Sequence, residues 1–126
     1  MMSFLTVALG GAIGASARYG LGLAMTRLFG SGFPIGTLMA NVIGGLLMGL
    51  LMGWIIRDAP QSADTLKLFA GVGVLGGFTT FSAFSLEAMR MIEAKTFGLF
   101  FGYVSLSVIL AIAAVALGLF LMRGAA

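Results

Sequence analysis

Four apolar stretches, each roughly 20 residues or longer, leave almost no charge between their ends, and that constrains this chain more than any other feature. Phe4 to Phe29 is interrupted only by Arg18 and Arg27, and Phe33 to Ile56 contains no charge at all. A third run extends from Leu66 to about Met89, and a fourth from Thr96 to Met122, ending at Arg123. A helix of that length crosses a hydrocarbon core of about 30 Å at ~1.5 Å per residue. Between the runs lie the turn Gly30-Ser31-Gly32, the polar stretch Arg57-Asp58-Ala59-Pro60-Gln61-Ser62-Ala63-Asp64, and a second polar turn with Arg90, Glu93 and Lys95. Proline at 34 suits the first turn of a new helix. The sequence therefore predicts an all-α membrane protein, one four-helix transmembrane domain over 1–126. Its helices are expected at about 4–29, 33–56, 66–92 and 96–122, with both termini on one side.

Composition agrees. Hydrophobic residues make up 60% of the 126 and charged residues 9%, against roughly 25% charged in an average soluble domain. A soluble fold lacks the polar residues here to cover its core, whereas lipid accepts apolar surface. The seven basic residues, giving a net charge of +3, form no basic run, so nucleic acid is not an expected partner. Without cysteine or histidine there are no disulfides, thiol nucleophiles or common zinc ligands. No nucleophile–base pair is visible, and an enzyme is not expected. Ala15-Ser16-Ala17 imitates a signal-peptidase site, but no basic n-region precedes it, and an uncut first helix is expected.

Loop charge gives no orientation. Arg57, Lys67 and Arg123 fall on the side of the termini, and Arg27, Arg90 and Lys95 on the other. Orientation follows Lys/Arg imbalance in short loops, so this chain is predicted to insert both ways round, which permits an antiparallel pair. The bland alternative is a weak bias that folding overrides. Small residues recur every fourth position at Gly36, Ala40 and Gly44, at Gly45, Gly49 and Gly53, and at Gly10 and Gly14, a spacing that lets helices approach closely in lipid.

Function is sought where polarity sits in a nonpolar medium. Counting along the helices places Arg18 about 9 Å, Asn41 about 12 Å and Thr79 about 13 Å inside the same face of the membrane. One cation, one amide and a hydroxyl-rich turn thus share a level. Gly76-Gly77-Phe78-Thr79-Thr80 is a poor stretch for regular helix. Two readings fit it: an unwound turn whose freed carbonyl oxygens meet a hard cation, or a glycine patch that packs closely. Phe81 and Phe84 are spaced to share a helix face, with Ser82 and Ser85 on the neighbouring one. Core aromatics with back-bonded hydroxyls would look the same. Amide N–H, hydroxyl O–H and aromatic ring edges suit a small anion, and no acid lies at that level. Arg18 either adds positive potential or snorkels and pairs with helix-end carbonyls.

Gly76-Gly77-Phe78-Thr79-Thr80-Phe81-Ser82-Ala83-Phe84-Ser85, with Asn41 in the preceding helix and Arg18 in the first, resembles the CrcB/Fluc fluoride channels. The likeness spans the whole chain. It implies an antiparallel, dual-topology homodimer in the bacterial inner membrane, with a broken third helix and two narrow fluoride pathways along the subunit interface. Phe81 and Phe84 would line each pathway with ring edges, Asn41 would supply an amide donor, and Thr80, Ser82 and Ser85 would belong to a hydroxyl track. Glu87, Tyr103 and Ser107 would sit near one pathway end. The backbone carbonyls of Gly76 and Thr79 from both subunits would hold a structural sodium ion, and Arg18 has a basic counterpart in relatives. Relatives often carry threonine at the position of Ala83, so one hydroxyl of the track is missing here.

Rival readings fare worse. A small multidrug exporter needs an acid in mid-membrane, usually in its first helix, where this chain has Arg18. A structural or regulatory membrane subunit would explain the glycines but not the common depth of the polar groups.

Overall fold

The structure, a computed structural model, describes residues 1–124, and among these it is helical without a strand. Helix α1 spans Met2–Phe29 and α2 spans Ile35–Asp58. The third segment starts as α3 (Ala63–Leu66), widens into a π-helical stretch (Lys67–Leu75), and tightens again as α4 (Gly76–Phe78). It resumes as α5 (Ser82–Glu93), and α6 spans Phe97–Gly124. Three segments are long and apolar enough to cross a membrane by length and composition: Ile35–Asp58, Ala63–Glu93 and Phe97–Arg123. With the 28-residue α1 they give four helical segments, the architecture of a multi-pass membrane protein.

Local chemistry fixes the ends. Gly30, at φ 79°, stops α1 where other residues would be strained, and its N–H donates to the Thr26 carbonyl at 2.8 Å. Pro34 lies one residue before α2 rather than inside its first turn. Its ψ of 65° is not helical, yet its carbonyl accepts the Leu38 N–H at 3.2 Å and so starts the helix. At the far end Arg57 pairs with Asp58 at 3.0 Å and donates to the Met122 carbonyl at 3.2 Å. The end of α2 thereby lies beside the end of α6.

Two glycine-lined seams hold the bundle. Gly45, Gly49 and Gly53 of α2 face Ala111, Val115 and Met122 of α6, while Gly118 faces Leu46. Gly10 and Gly14 of α1 face the π-helical stretch and its continuation. A Cβ added at Gly73 would stand 2.9 Å from the Gly10 Cα, and one at Gly77 would stand 2.7 Å from the Gly11 carbonyl oxygen. With no hydrophobic force driving helices together in lipid, close backbone approach of this kind supplies the packing. Phe84, Met91 and Tyr103 form the buried core between α5 and α6, with Phe33, Leu38, Phe100 and Val104 packed around them.

Candidate functional site

The site is built around three residues that leave the helical path. Thr79 is extended (φ −86°, ψ 159°), and helix resumes only at Ser82. Backbone groups freed there need partners, because lipid offers none. Asn41 provides two: its Nδ2 donates to the Thr80 carbonyl at 3.0 Å, and its Oδ1 accepts the Thr80 N–H at 2.8 Å. Arg18 provides a third, its Nε donating to the Gly77 carbonyl at 3.3 Å. The Thr79 hydroxyl donates to the Leu75 carbonyl at 2.9 Å. Thr80 Oγ1 accepts the Ala83 N–H at 3.1 Å, capping the first turn of α5.

The diversion of one amide has a consequence. In a continuous helix the Thr80 N–H would bond the Gly76 carbonyl. It is given to Asn41 instead, so the Gly76 oxygen loses its helical donor. Gly76 and Thr79 both line an open groove between α2, the interruption and α6, with a volume of about 570 Å³. Asn41, Thr80, Phe81, Phe84 and Ser107 line the same groove, against apolar walls from Val108 to Val115. No charged side chain is among its lining residues. Ser107 is 5% exposed, and its hydroxyl has no partner. A buried hydroxyl without a partner is costly, and it marks a place where a ligand or water belongs.

The two phenylalanines differ. Their ring centroids lie 5.6 Å apart, but Phe84 is 8% exposed and Phe81 77%. Phe81 precedes the first turn of α5, so helical spacing does not govern its direction, and its ring stands out from the single chain. Phe84 packs instead on Tyr103, with centroids 5.2 Å apart. Tyr103 is fully buried, with the edge of Phe33 against it (5.4 Å, 86°), and its hydroxyl donates to Glu87 Oε1 at 3.0 Å. Glu87 Oε2 accepts from Thr37 Oγ1 at 3.1 Å. Glu87 and Thr37 line a second cavity of about 460 Å³ beside the α1–α2 turn. Tyr103 thus stands between the uncharged groove and a cavity edged by Glu87 and Arg90. A third cavity, of about 360 Å³, is lined by Arg18, Tyr19, Arg27 and Thr37.

Comparison with known proteins decides the family. The model described as "CrcB-like protein, Camphor Resistance (CrcB)" matches residues 5–119. The fluoride-specific ion channel FluC of Caulobacter vibrioides is 49% identical over 123 residues, covering 98% of this chain and 97% of the relative. Its namesake from Phenylobacterium zucineum is 50% identical over 123 residues, with the same coverage, and that from Hyphomonas neptunium 48% identical over 126. The chain belongs to the CrcB family. These relatives are named as ion channels, so the family is not one of enzymes.

Within this CrcB chain nine of the residues singled out in the sequence fall into two groups, and Arg18, Ser82 and Ser85 lie outside both. Asn41, Gly76, Thr79, Thr80, Phe81, Phe84 and Ser107 share the groove, and Glu87 with Tyr103 forms the hydrogen-bonded cluster beyond it. Ser107, one turn further along α6 than Tyr103, lines the groove rather than the Glu87 cavity. Ser82 lies 3.3 Å from Thr80 Oγ1, and Ser85 is bonded back to the Phe81 carbonyl at 2.8 Å. Sequence reasoning missed Thr37 and Phe33. Thr37 could have been found, because it precedes Asn41 by one helical turn and shares its face.

Proposed function

We propose that the chain is a fluoride-selective ion channel of the bacterial inner membrane, exporting fluoride down its electrochemical gradient and so lowering its toxicity in the cytoplasm. It works as an antiparallel, dual-topology homodimer embedded in lipid, with two pathways and a structural sodium ion at the subunit interface. One observation carries the reading: an uncharged groove that gathers an amide, hydroxyls including the unpartnered Ser107, and aromatic rings, with no carboxylate among its lining.

The physics follows from the ion. Fluoride is small and strongly hydrated, so removing its water is expensive unless donors replace it. A conducting route needs several such donors in series, none strong enough to hold the ion. The Ser107 hydroxyl, the second N–H of Asn41 Nδ2, the Ser82 hydroxyl and the ring edges of Phe81 and Phe84 form a weak series of that kind. A row of guanidiniums would trap the anion, and Arg18 is turned instead to the Gly77 carbonyl. The groove is open along one side in a single chain, and the Phe81 ring stands exposed at its edge. A second copy supplies the missing wall, and the balanced loop charges allow that copy the opposite orientation.

The donor set fits sodium. It is a hard cation that takes oxygen ligands, and the Gly76 carbonyl has lost its helical donor beside the extended Thr79. Two carbonyls per chain are too few for a cation, whereas two chains offer four. Bound there, the ion supplies fixed positive charge that lowers the cost of a nearby anion.

A cellular assay tests the reading. Expression in a bacterium stripped of its own fluoride exporter should restore growth on fluoride medium. If growth stays as poor as with an empty vector although the protein reaches the membrane, the reading fails.

A further inference from the structure

We propose that the cleft between α1 and α2 binds the phosphate headgroup of an anionic membrane phospholipid. The inference goes beyond ion conduction and needs only the membrane-spanning fold.

The two helices meet there at their glycines: a Cβ on Gly36 would stand 2.9 Å from the Gly22 Cα. Both glycines line the cavity of about 360 Å³, and no side chain from either fills it. The cavity shares no lining residue with the uncharged groove. Its polar walls are donors. Arg18 spends its Nε–H on the Gly77 carbonyl at 3.3 Å, while its terminal N–H groups have no partner among the described hydrogen bonds. The same holds for the Arg27 guanidinium and for the Tyr19 and Thr26 hydroxyls, which line the cavity with it. Thr37 has already turned its hydrogen to Glu87, at 3.1 Å. That carboxylate accepts from Thr37 and Tyr103, not from either arginine. No acid lines the cavity, and the only ion pair among the described residues joins Arg57 to Asp58 at the other end of α2. Two guanidiniums without a counter-ion in one cleft call for an anion with several acceptor oxygens, and a phosphate has them.

The depth of the cleft selects a lipid over a dissolved ion. Arg27 lies in the last turn of α1, at headgroup level, and Arg18 starts nine residues earlier, about 13 Å deeper along the helix. Between them stand Tyr19 and Leu23, 70% and 44% exposed, an apolar wall open to hydrocarbon. An anion dissolved in water matches only the outer end of such a cleft. A phospholipid matches its whole length: the phosphate meets Arg27 and Thr26, the ester carbonyls below it accept from Arg18 and Tyr19, and an acyl chain lies along Leu23. Basic pockets between membrane helices hold anionic headgroups by this combination of charge and depth.

Native mass spectrometry of the full chain in detergent tests the proposal, with phosphatidylglycerol and phosphatidylcholine of identical acyl chains titrated in parallel. The parent should hold phosphatidylglycerol at least about tenfold more tightly than phosphatidylcholine. Arg27→Gln should weaken phosphatidylglycerol binding about fivefold, the share of one guanidinium beside an anionic headgroup. Arg18→Gln keeps a donor for the Gly77 carbonyl and should cost about the same, and the two together about 25-fold. Arg123→Gln removes an equal charge from the exposed end of α6 and should change binding by less than about twofold. Should Arg18→Gln fail to fold, Arg27→Gln carries the test alone, because the Arg27 side chain holds no other described group. Equal retention of the two lipids overturns the site, and so does an Arg123→Gln loss as large as that of Arg27→Gln, which would reveal only a general attraction to charge. Displacement of phosphatidylglycerol by an excess of inorganic phosphate would make the cleft a site for a free anion and overturn the lipid assignment.

Discussion

Replacing Asn41 with alanine removes both partners of the Thr80 backbone, one N–H at 2.8 Å and one carbonyl at 3.0 Å. A buried polar group left without a partner costs about 1–3 kcal/mol, which would make the pair worth about 2–6 kcal/mol. Hydrogen bonds between membrane helices average only about 0.6 kcal/mol, because the freed groups find other partners. The groove beside Thr80 is open and lined by other polar groups that the freed pair can reach, so the lower end of the first range governs, about 2 kcal/mol. At 1.4 kcal/mol per decade, that reduces the population of the ordered turn about 30-fold. Fluoride release from liposomes should fall by about that factor in Asn41→Ala, while size-exclusion chromatography shows an unchanged oligomer. Asn41→Asp should be worse. It keeps an acceptor for the Thr80 N–H but loses the donor to the Thr80 carbonyl, and it places an acid in a groove that has none. Asn41→Ala with release within about twofold of the parent and an unshifted thermal midpoint would refute the reasoning.

Other perturbations separate chemistry from packing. Phe84→Ile, and separately Phe81→Ile, should cut fluoride release strongly without loss of the oligomer, since bulk is kept and ring edges are removed; unchanged release in both takes the aromatics out of the pathway. Gly77→Ala should destabilise by about 1–3 kcal/mol, because its Cβ meets the Gly11 carbonyl oxygen at 2.7 Å. Gly11→Ala, whose Cβ meets nothing within 4 Å, should unfold at the parent temperature, and equal midpoints for the two would contradict the seam. Replacing sodium with a large organic cation throughout purification should weaken the oligomer or slow release, and indifference in both measurements counts against the sodium site.

How much of this was legible in the sequence depends on the physical range of each interaction. The paired runs and charged turns reveal the helices because hydrocarbon excludes charge over the full thickness of the membrane. The rows at Gly10 and Gly14 and at Gly45, Gly49 and Gly53 show the seams because close approach needs small residues at helical spacing. Counting rises along helices brought Asn41 and Thr79 to one level, and the structure joins Asn41 to the neighbouring Thr80. The direction of each polar group was not legible. Hydrogen-bond geometry turns on a few degrees of backbone, so the Asn41 bonds to both sides of Thr80 could not be read from spacing. Phe81 and Phe84 look equivalent at i and i+3, yet only Phe84 lies within α5, and only its ring is buried. The π-helical stretch at Lys67–Leu75 left no periodic signature in a segment that is apolar or glycine at every position after Lys67.

The central claim is that uncharged donors and ring edges take the place of the water a small halide must lose. Simultaneous recording of fluoride and chloride efflux from one liposome preparation tests it most directly, since both ions carry the same charge and differ in size and hydration. The account predicts complete fluoride release while chloride stays inside over the same interval. Parallel loss of the two ions would contradict it.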